Sequence, residues 1–340
     1  MDLRRDSEQV LTMNVTVPIH ITISVGTPVT AQVSPSVLGS QAVFAAAPEA
    51  AQAVSGPVAE AYAKFSKESL TRPGFDWLAA LSLAACSHLA YAEPTGVHNV
   101  CTDQWRLDAP QFVAAGSTQC FVAATDKVAI VSFRGTKGAL DWFSNLNVVE
   151  RRTSYGSVHD GFYNAFQLVR TRLESLLEPL VSTRAVVLTG HSLGGALATI
   201  AAAQWARKFP IAGIYTYGQP RVGFASFRSH TKTFFSDRFF RLVNADDIVP
   251  RVPPAYVHVG QLFKFNAAGR TVTEAVESET AAESPALSSL EFELVKEQLR
   301  QAEMGSAVVE SAQLEGLFPN YFADHKLSEY LAKILKNIPR

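Results

Sequence analysis

The chain has 340 residues, of which 47% are hydrophobic and 18% charged, and its 30 lysines and arginines nearly balance its 31 aspartates and glutamates. A chain of this length and apolar content can bury a large core. The balanced charge argues against a nucleic-acid partner, and no uninterrupted run of about 18 apolar residues is present to span a bilayer.

Residues 1–64 differ in composition from the rest, because no lysine or arginine occurs over 6–63. Apolar and polar residues alternate over 14–25, which predicts a long strand, and Pro18 confines that strand to an edge or a surface. We expect an arm that extends the sheet of the main domain or crosses a dimer interface, or else docks another partner. The predicted domains are therefore an N-terminal extension with an Ala/Pro-rich linker over 1–64 and a main domain over 65–340.

The cysteines and the N-terminus bear on compartment and cofactors. Cys86, Cys101 and Cys120 allow at most one internal disulfide. The positive charges near the N-terminus are not followed by the apolar region of a standard signal peptide, so the default expectation is a cytoplasmic protein, with export by another route left open. No cysteine or histidine cluster has zinc spacing and no glycine-rich phosphate loop is present, so we expect no metal and no cofactor.

The first part of the main domain is predicted to contain a helix and a strand pair. Leucine spacing over 75–94 is typical of a helix. Apolar runs over 119–125 and 128–133 predict two strands that pair across a short turn and lead to Thr136 at the edge of the sheet. A short amphipathic helix is predicted next. Its apolar residues are Ala139, Leu140, Trp142, Phe143 and Leu146.

The most informative segment is 184–198, with the sequence RAVVLTGHSLGGALA. A strand-like apolar run meets Gly190, and small residues after Gly194 begin a helix. These glycines allow strand and helix to pass closely, which projects Ser192 from a sharp turn. The first helix amides, with Leu193 as the natural donor, point to where negative charge develops in acyl transfer. The pattern predicts a nucleophilic serine.

A nucleophile of this kind requires an acid and then a histidine further along the chain. A predicted strand ends at Asn244, and Asp246 and Asp247 follow it; the residues alone do not choose between them. His325 stands between a loop and an amphipathic helix, whereas His258 lies in an alternating, strand-like segment. Position favours His325 as the base and a packing role for His258.

An insertion separates the candidate acid from the candidate base. Its first part is acidic, and 284–304 is predicted to be a helix that begins with Pro285 after Ser284. This helix either caps the acyl pocket or only covers an edge of the sheet. Its predicted apolar residues are Leu287, Leu290 and Leu294.

Several sequence blocks occur in the order and approximate spacing of a known family. They are SFRGT (132–136), DWFSNL (141–146), VHDGF (158–162), TGHSLGGALA (189–198), YGQPRVG (217–223), NADDIVPRVPP (244–254) and DHKLSEY (324–330). Over about residues 75–335 the chain resembles the class 3 lipases, an α/β-hydrolase family that includes the filamentous-fungal triacylglycerol lipases.

The resemblance implies an α/β-hydrolase fold, in which a mostly parallel central sheet has helices on both faces and a nucleophile elbow. It implies a serine carboxylic-ester hydrolase that acts on acylglycerols through Ser192, His325 and Asp247, because the family's N-x-x-D-x-V-P block selects Asp247 and its D-H pair selects His325. It also implies an oxyanion hole formed by Thr136 and Leu193.

Other interpretations stay open beside this one. A phospholipase A1, or another acyl hydrolase of polar lipids, would use the same chemistry, and a silent hydrolase fold could serve as a lipid-binding or docking module. The resemblance makes His191 a structural neighbour of the nucleophile. It also places at the short helix a lid that would open at a lipid surface, while a fixed surface helix explains the pattern equally well. The proposed lid residues are Leu140, Trp142, Phe143 and Leu146.

Overall fold

The computed structural model describes residues 55–136, 138–276, 285–305 and 322–339. The arm predicted over 14–25 lies outside these residues, as do residues 1–54 of the predicted extension, and both stay predictions. In the described ranges, no helix is both long enough and apolar enough to cross a membrane.

The described residues form a large central sheet and a small hairpin. Their strands are β1 Gln111–Ala115, β2 Thr118–Ala124, β3 Val128–Phe133, β4 Glu150–Thr153, β5 Gly156–His159, β6 Ala185–His191, β7 Ile211–Tyr217, β8 Phe239–Asn244, β9 Gln261–Phe265 and β10 Thr271–Val276. The sheet has the spatial order β1-β2-β3-β6-β7-β8-β9-β10, and β4 pairs with β5.

The middle of the sheet is parallel. Strands β3, β6, β7, β8 and β9 run in one direction, and antiparallel pairs join β1 to β2, β2 to β3 and β9 to β10. Every residue of β3 and β8 is buried, as expected where helices cover both faces of a parallel sheet. The predicted α/β class with a mostly parallel sheet is confirmed.

Helices cover the sheet on both faces. They are α1 Gly56–Ala63, α2 Trp77–Leu89, α3 Pro94–Asn99, α4 Ala139–Ser144, α5 Asp160–Leu177, α6 Leu193–Trp205, α7 Ala225–Phe235, α8 Ser289–Gly305 and α9 Leu327–Asn337. Because successive strand residues point to opposite faces, Val186 and Leu188 pack with α5 and α6, while Val187 packs with α2 and α9. The sheet therefore separates two apolar cores.

Helix α1 lies before the predicted domain boundary at residues 64 and 65. It contacts α2 and α9, and its Ala61 and Tyr62 are buried in the core that those helices share. The described residues before the boundary thus pack onto the main domain, while the boundary itself stays a prediction.

Helix α8 corrects the prediction for the insertion. It begins at Ser289 and not directly after Ser284 and Pro285. The Ser288 hydroxyl accepts the Glu291 amide at 3.2 Å, and the Glu291 carboxylate accepts the Ser288 amide at 2.8 Å. This reciprocal capping box fixes the start of the helix, and it outweighs the preference of proline for a first turn.

The buried face of α8 also differs from the predicted one. Of the three predicted apolar residues, Leu287 lies before the helix and is buried, whereas Leu290 and Leu294 are exposed. The helix buries Phe292, Val295 and Leu299 instead. The leucine spacing and the spacing of the buried residues are both helical, and only the position of the neighbouring helix α4 decides which face is covered.

Asp76 caps α2, and its loss should destabilise the protein. Its side chain accepts the amides of Leu78 at 2.9 Å and Ala79 at 2.8 Å. Replacing an N-cap aspartate with alanine leaves such donors unpaired at a typical cost of about 1 kcal/mol. We expect Asp76→Ala to lower the free energy of unfolding, measured by urea titration, by about that amount.

Asp237→Ala is the matched control. The Asp237 carboxylate is exposed and pairs with the adjacent Arg238 at 2.8 Å, an arrangement that contributes little to stability. Equal losses in the two variants would contradict the capping role of Asp76.

Candidate active site

Ser192 lies at a sharp turn between β6 and α6. Its φ of 58° and ψ of −130° form a conformation that residues with a side chain rarely adopt. A Cβ at Gly190 would overlap the backbone of Gly194, and a Cβ at Gly194 would overlap the Phe133 carbonyl oxygen. The close approach of strand and helix therefore requires both glycines, and the turn is the nucleophile elbow that the motif predicts.

The two candidate oxyanion donors lie beside this turn. Leu193 begins α6, where the first amides of a helix have no acceptor within the helix and where the helix dipole favours negative charge. Thr136 follows β3, the parallel neighbour of β6. A Cβ on Gly135 would lie 3.2 Å from the Ser192 Cβ, so the chain passes next to the serine just before Thr136.

Asp247 and His325 form a buried pair. The His325 Nδ1 lies 2.9 Å from Asp247 Oδ2 and 3.0 Å from Oδ1, and the two residues are 3% and 1% exposed, respectively. Gly218, which follows β7, leaves the space for them. A Cβ at Gly218 would lie 2.8 Å from Asp247 Oδ2 and 2.9 Å from His325 Nδ1. The structure thus joins the two residues that the family blocks select.

The alternative acid and base lie elsewhere. The Asp246 side chain is exposed, and its backbone amide donates to Asp324 Oδ2 at 3.1 Å. His258 is buried, and its Nε2 lies 2.6 Å from the Pro250 carbonyl oxygen, which can only accept a hydrogen bond. Burial, and then the charges of Arg241 and Arg221, hold the pKa of His258 well below its usual value. It is a neutral packing residue in this structure.

The Ser192 hydroxyl oxygen and His325 Nε2 are both buried. Because an ionised carboxylate only accepts, His325 Nδ1 carries the hydrogen that Asp247 receives, and in a neutral imidazole Nε2 then has the lone pair. Among the described residues, neither His325 Nε2 nor the Ser192 hydroxyl has a hydrogen-bond partner. A hydrogen bond between a serine nucleophile and its base often forms only in the substrate complex.

The carboxylate has two further donors that sequence reasoning missed. The Tyr330 hydroxyl donates to Asp247 Oδ2 at 2.6 Å, and the Val249 amide donates to Oδ1 at 2.9 Å. Burial, and then the negative charge of Asp247, raise the pKa of Tyr330 well above its usual value, so the phenol keeps its proton. The helical spacing after His325 places Tyr330 on the apolar face of α9, and nothing in that spacing indicates a polar contact.

Helix α4, the proposed lid, has its apolar side covered. Phe143 is fully buried, with ring centroids 5.5 Å from Phe292 of α8 and 6.0 Å from Phe322. Trp142 is half-buried and stacks on Phe162 at 6.2 Å. The Leu140 side chain lies outside the described residues.

The insertion helix supplies most of this cover. Leu146, which lies two residues after the end of α4, is buried, and its carbonyl accepts a hydrogen bond from the buried Lys296 ammonium of α8 at 3.2 Å. Helix α8 therefore packs on α4. The sequence predicted that this helix caps the acyl pocket or covers an edge of the sheet, and neither prediction specified a contact with α4.

In the described part of the chain, no group of three or more histidine, cysteine, aspartate or glutamate side chains is arranged to hold a metal ion. Cys86, Cys101 and Cys120 are buried as free thiols.

The parallel sheet and the elbow at its edge define an α/β-hydrolase fold. A family model described as lipase (class 3) matches residues 130–257, which include the elbow and the strand that leads to Asp247. Over these residues the chain matches the class 3 lipase family.

Named relatives include lipases from fungi and plants. A secreted mono- and diacylglycerol lipase of Fusarium solani is 38% identical over 142 residues, which cover 38% of this chain and 42% of the relative. A triacylglycerol lipase of Arabidopsis thaliana is 31% identical over 238 aligned positions, covering 49% of this chain and 44% of the relative. The chain thus spans less than half the length of these relatives.

Solved structures show the same fold. A triacylglycerol lipase with a serine-protease triad as its catalytic centre has a TM-score of 0.53 at 24% identity, covering 65% of this chain and 95% of its own. Lipase II from Rhizopus niveus has a TM-score of 0.52 at 20% identity, with the same coverage of 65% and 95%.

The geometry distinguishes the two adjacent aspartates. Asp247→Asn places an amide against His325 Nδ1 and favours the wrong tautomer, so we expect kcat for ester hydrolysis to fall on the order of 10⁴-fold, as for the same change in another triad. Asp246→Asn alters an exposed carboxylate and should have little effect. Steady-state kinetics on a soluble ester measure both, and the reverse order would make Asp246 the acid.

The histidines provide a parallel control. His325→Ala should lose far more activity than His258→Ala, because only His325 contacts the carboxylate. Equal losses would contradict the assignment of the base.

Proposed function

We propose that this protein is a serine carboxylic-ester hydrolase that acts on acylglycerols through an acyl-enzyme. One observation carries the proposal: the buried Asp247–His325 pair, with a free Nε2, occupies the same edge of the sheet as the elbow that presents Ser192. The assignments of Ser192, Asp247 and His325 as the triad, and of Thr136 and Leu193 as the oxyanion hole, are part of the proposal.

In the first half of the reaction, Ser192 Oγ attacks the ester carbonyl carbon while its proton passes to His325 Nε2. Asp247 stabilises the resulting imidazolium, and the Leu193 amide and Thr136 bind the oxyanion. The tetrahedral intermediate collapses, the bond to the alcohol breaks, and the alcohol leaves with the proton from His325.

In the second half, water takes the place of the alcohol. His325 removes a proton from the water as its oxygen attacks the acyl carbon, and the second tetrahedral intermediate uses the same oxyanion donors. Collapse breaks the bond to Ser192 Oγ, which regains the proton from His325 and releases the fatty acid.

Two features favour this chemistry. The site is buried, so fixed donors and charges act in a medium that screens them less than water does. Helix α6 also points its N-terminus at the position of the developing negative charge.

Acylglycerols are proposed as substrates because of the relatives. Both the Fusarium protein, named as a mono- and diacylglycerol lipase, and the Arabidopsis protein, named as a triacylglycerol lipase, cleave esters of glycerol according to their names. A polar-lipid acyl hydrolase would use the same residues, so comparison of acylglycerols with phospholipids of equal chain length separates the two.

Substitution of Ser192 tests the enzyme assignment. We expect Ser192→Ala to abolish ester hydrolysis without loss of the fold, because the alanine removes only the attacking oxygen. Circular dichroism provides the measure of folding.

Labelling gives an independent result. A serine-directed fluorophosphonate should modify the unaltered protein at Ser192 and should not modify Ser192→Ala. Comparable turnover by the variant, or no adduct on the unaltered protein, would contradict the hydrolase proposal and favour a docking module.

The lid hypothesis assigns to α4 a movement at lipid surfaces. Phe143 and Leu146 are buried and Trp142 is half-buried, and at an oil surface these residues would gain by entering lipid. Hydrolysis of a long-chain ester should then rise sharply above the solubility limit of the substrate. Trp142→Ala should reduce that rise more than it alters hydrolysis of a soluble short-chain ester.

A second variant acts in the opposite direction. Phe292→Ala removes a ring that covers Phe143. If α4 is a movable lid, this variant should hydrolyse a long-chain ester faster than the unaltered protein does below the solubility limit of the substrate. A smooth saturation curve through that limit would indicate an esterase without a lid, and equal effects of Trp142→Ala on both esters would assign Trp142 to packing.

A further inference from the structure

A buried histidine outside the triad holds the segment that carries the base. His191 ends strand β6 directly before the nucleophile, and its Nε2 lies 2.7 Å from the backbone carbonyl oxygen of His325. A carbonyl oxygen only accepts, so Nε2 carries the hydrogen and donates it. The imidazole rings of the two histidines lie 4.5 Å apart, tilted by 32°.

The other ring nitrogen of His191 is occupied by a tyrosine. The Tyr91 hydroxyl lies 3.0 Å from His191 Nδ1. Burial, and then the charge of His325, hold the pKa of His191 well below its usual value, so its imidazole is neutral. A neutral ring protonated at Nε2 has a lone pair at Nδ1, and therefore Tyr91 is the donor of this bond. Tyr91 thus selects the tautomer that binds the His325 carbonyl.

The same hydroxyl contacts the oxyanion side of the site. A Cβ on Gly135, the residue before Thr136, would overlap the Tyr91 hydroxyl oxygen. Burial raises the pKa of Tyr91, and a backbone hydrogen bond with Gly135 acts in the opposite direction. A continuous chain of contacts therefore links Gly135, Tyr91, His191 and His325.

The segment with the base needs such an anchor. His325 belongs to a turn before α9 and not to a regular element. Besides the bond from His191, the Asn244 side chain donates to the Asp324 carbonyl at 2.8 Å. Two neighbouring carbonyls of this turn are thus held by side chains from the ends of β6 and β8.

We propose that His191 is a positioning residue, which fixes the backbone of His325 so that its ring reaches both Asp247 and Ser192. The proposal rests on the hydrolase function proposed above. A displacement of about 1 Å in a catalytic group can reduce the rate on the order of 10²-fold, so the loss of this single hydrogen bond should be visible in kcat.

Three substitutions of His191 distinguish the effect of losing its hydrogen-bond donor from the effect of losing its ring. His191→Phe keeps a ring and removes both hydrogen bonds. His191→Asn has a side chain that reaches only to the Nδ1 position, so it can meet Tyr91 but not the His325 carbonyl. His191→Gln reaches the Nε2 position with an N–H donor. We expect kcat to fall on the order of 10²-fold in the first two variants, with KM for a soluble short-chain ester unchanged, and the glutamine variant to regain most of the loss.

A second tyrosine–histidine pair, in which Tyr62 is buried and His88 is half-buried, provides the matched control. His88 lies on α2, and its Nδ1 is 3.0 Å from the Tyr62 hydroxyl. His88→Phe should lower the free energy of unfolding and leave kcat unchanged. Tyr91→Phe should lower kcat less than His191→Phe does, because it removes only the selection of the tautomer.

The rate of fluorophosphonate labelling at Ser192 is the second readout, because it depends on the base and not on substrate or lipid. Parallel losses in kcat and labelling rate are expected for His191→Phe and His191→Asn. Unchanged kcat and labelling in those variants, or no recovery in His191→Gln, would overturn the positioning role while the hydrolase proposal stands. Absence of hydrolysis and labelling in the unaltered protein would overturn both proposals.

Discussion

Strand β6 and helix α6 approach each other so closely at Ser192 that neither flanking glycine can carry a side chain. This approach forces a positive φ on the serine, and the rest of the site is arranged around it. The conformation is costly for a residue with a Cβ, and the packed strand and helix on either side must hold it. Both elements are buried along most of their length, so the elbow is rigid.

Parallel strands bring their carboxyl ends to a common edge, and the candidate site uses that property four times. Thr136 follows β3, Ser192 follows β6, Gly218 follows β7 and Asp247 follows β8. Only His325 comes from a different kind of element, the turn before α9. Its position depends on side chains that reach out from the ends of β6 and β8, which explains why polar contacts are concentrated there.

The sequence predicts those features that depend on local patterns. The glycines around Ser192 and the apolar run before it indicate the elbow. The residues alone do not show whether Asp246 or Asp247 is the acid, because both follow the same strand, and only the family pattern selects one of them. The prediction that Leu290 and Leu294 form the buried face of α8 was wrong, because helical spacing alone does not show which side of a helix a neighbour covers. The contacts of Tyr330 and His191 join residues more than 80 positions apart in one case and more than 130 in the other, and no local pattern records them.

Helix α9 packs on α1 and α2, and the residues just before it carry the base. Ser192 and Asp247 lie just beyond the ends of strands in the middle of the sheet, whereas His325 lies just before the last helix that the structure describes. A molecule whose C-terminal helix has not yet docked would present its serine without a proton acceptor. Under the proposed hydrolase function, ester hydrolysis therefore depends on the docking of α9, and a molecule with α9 undocked would not hydrolyse esters.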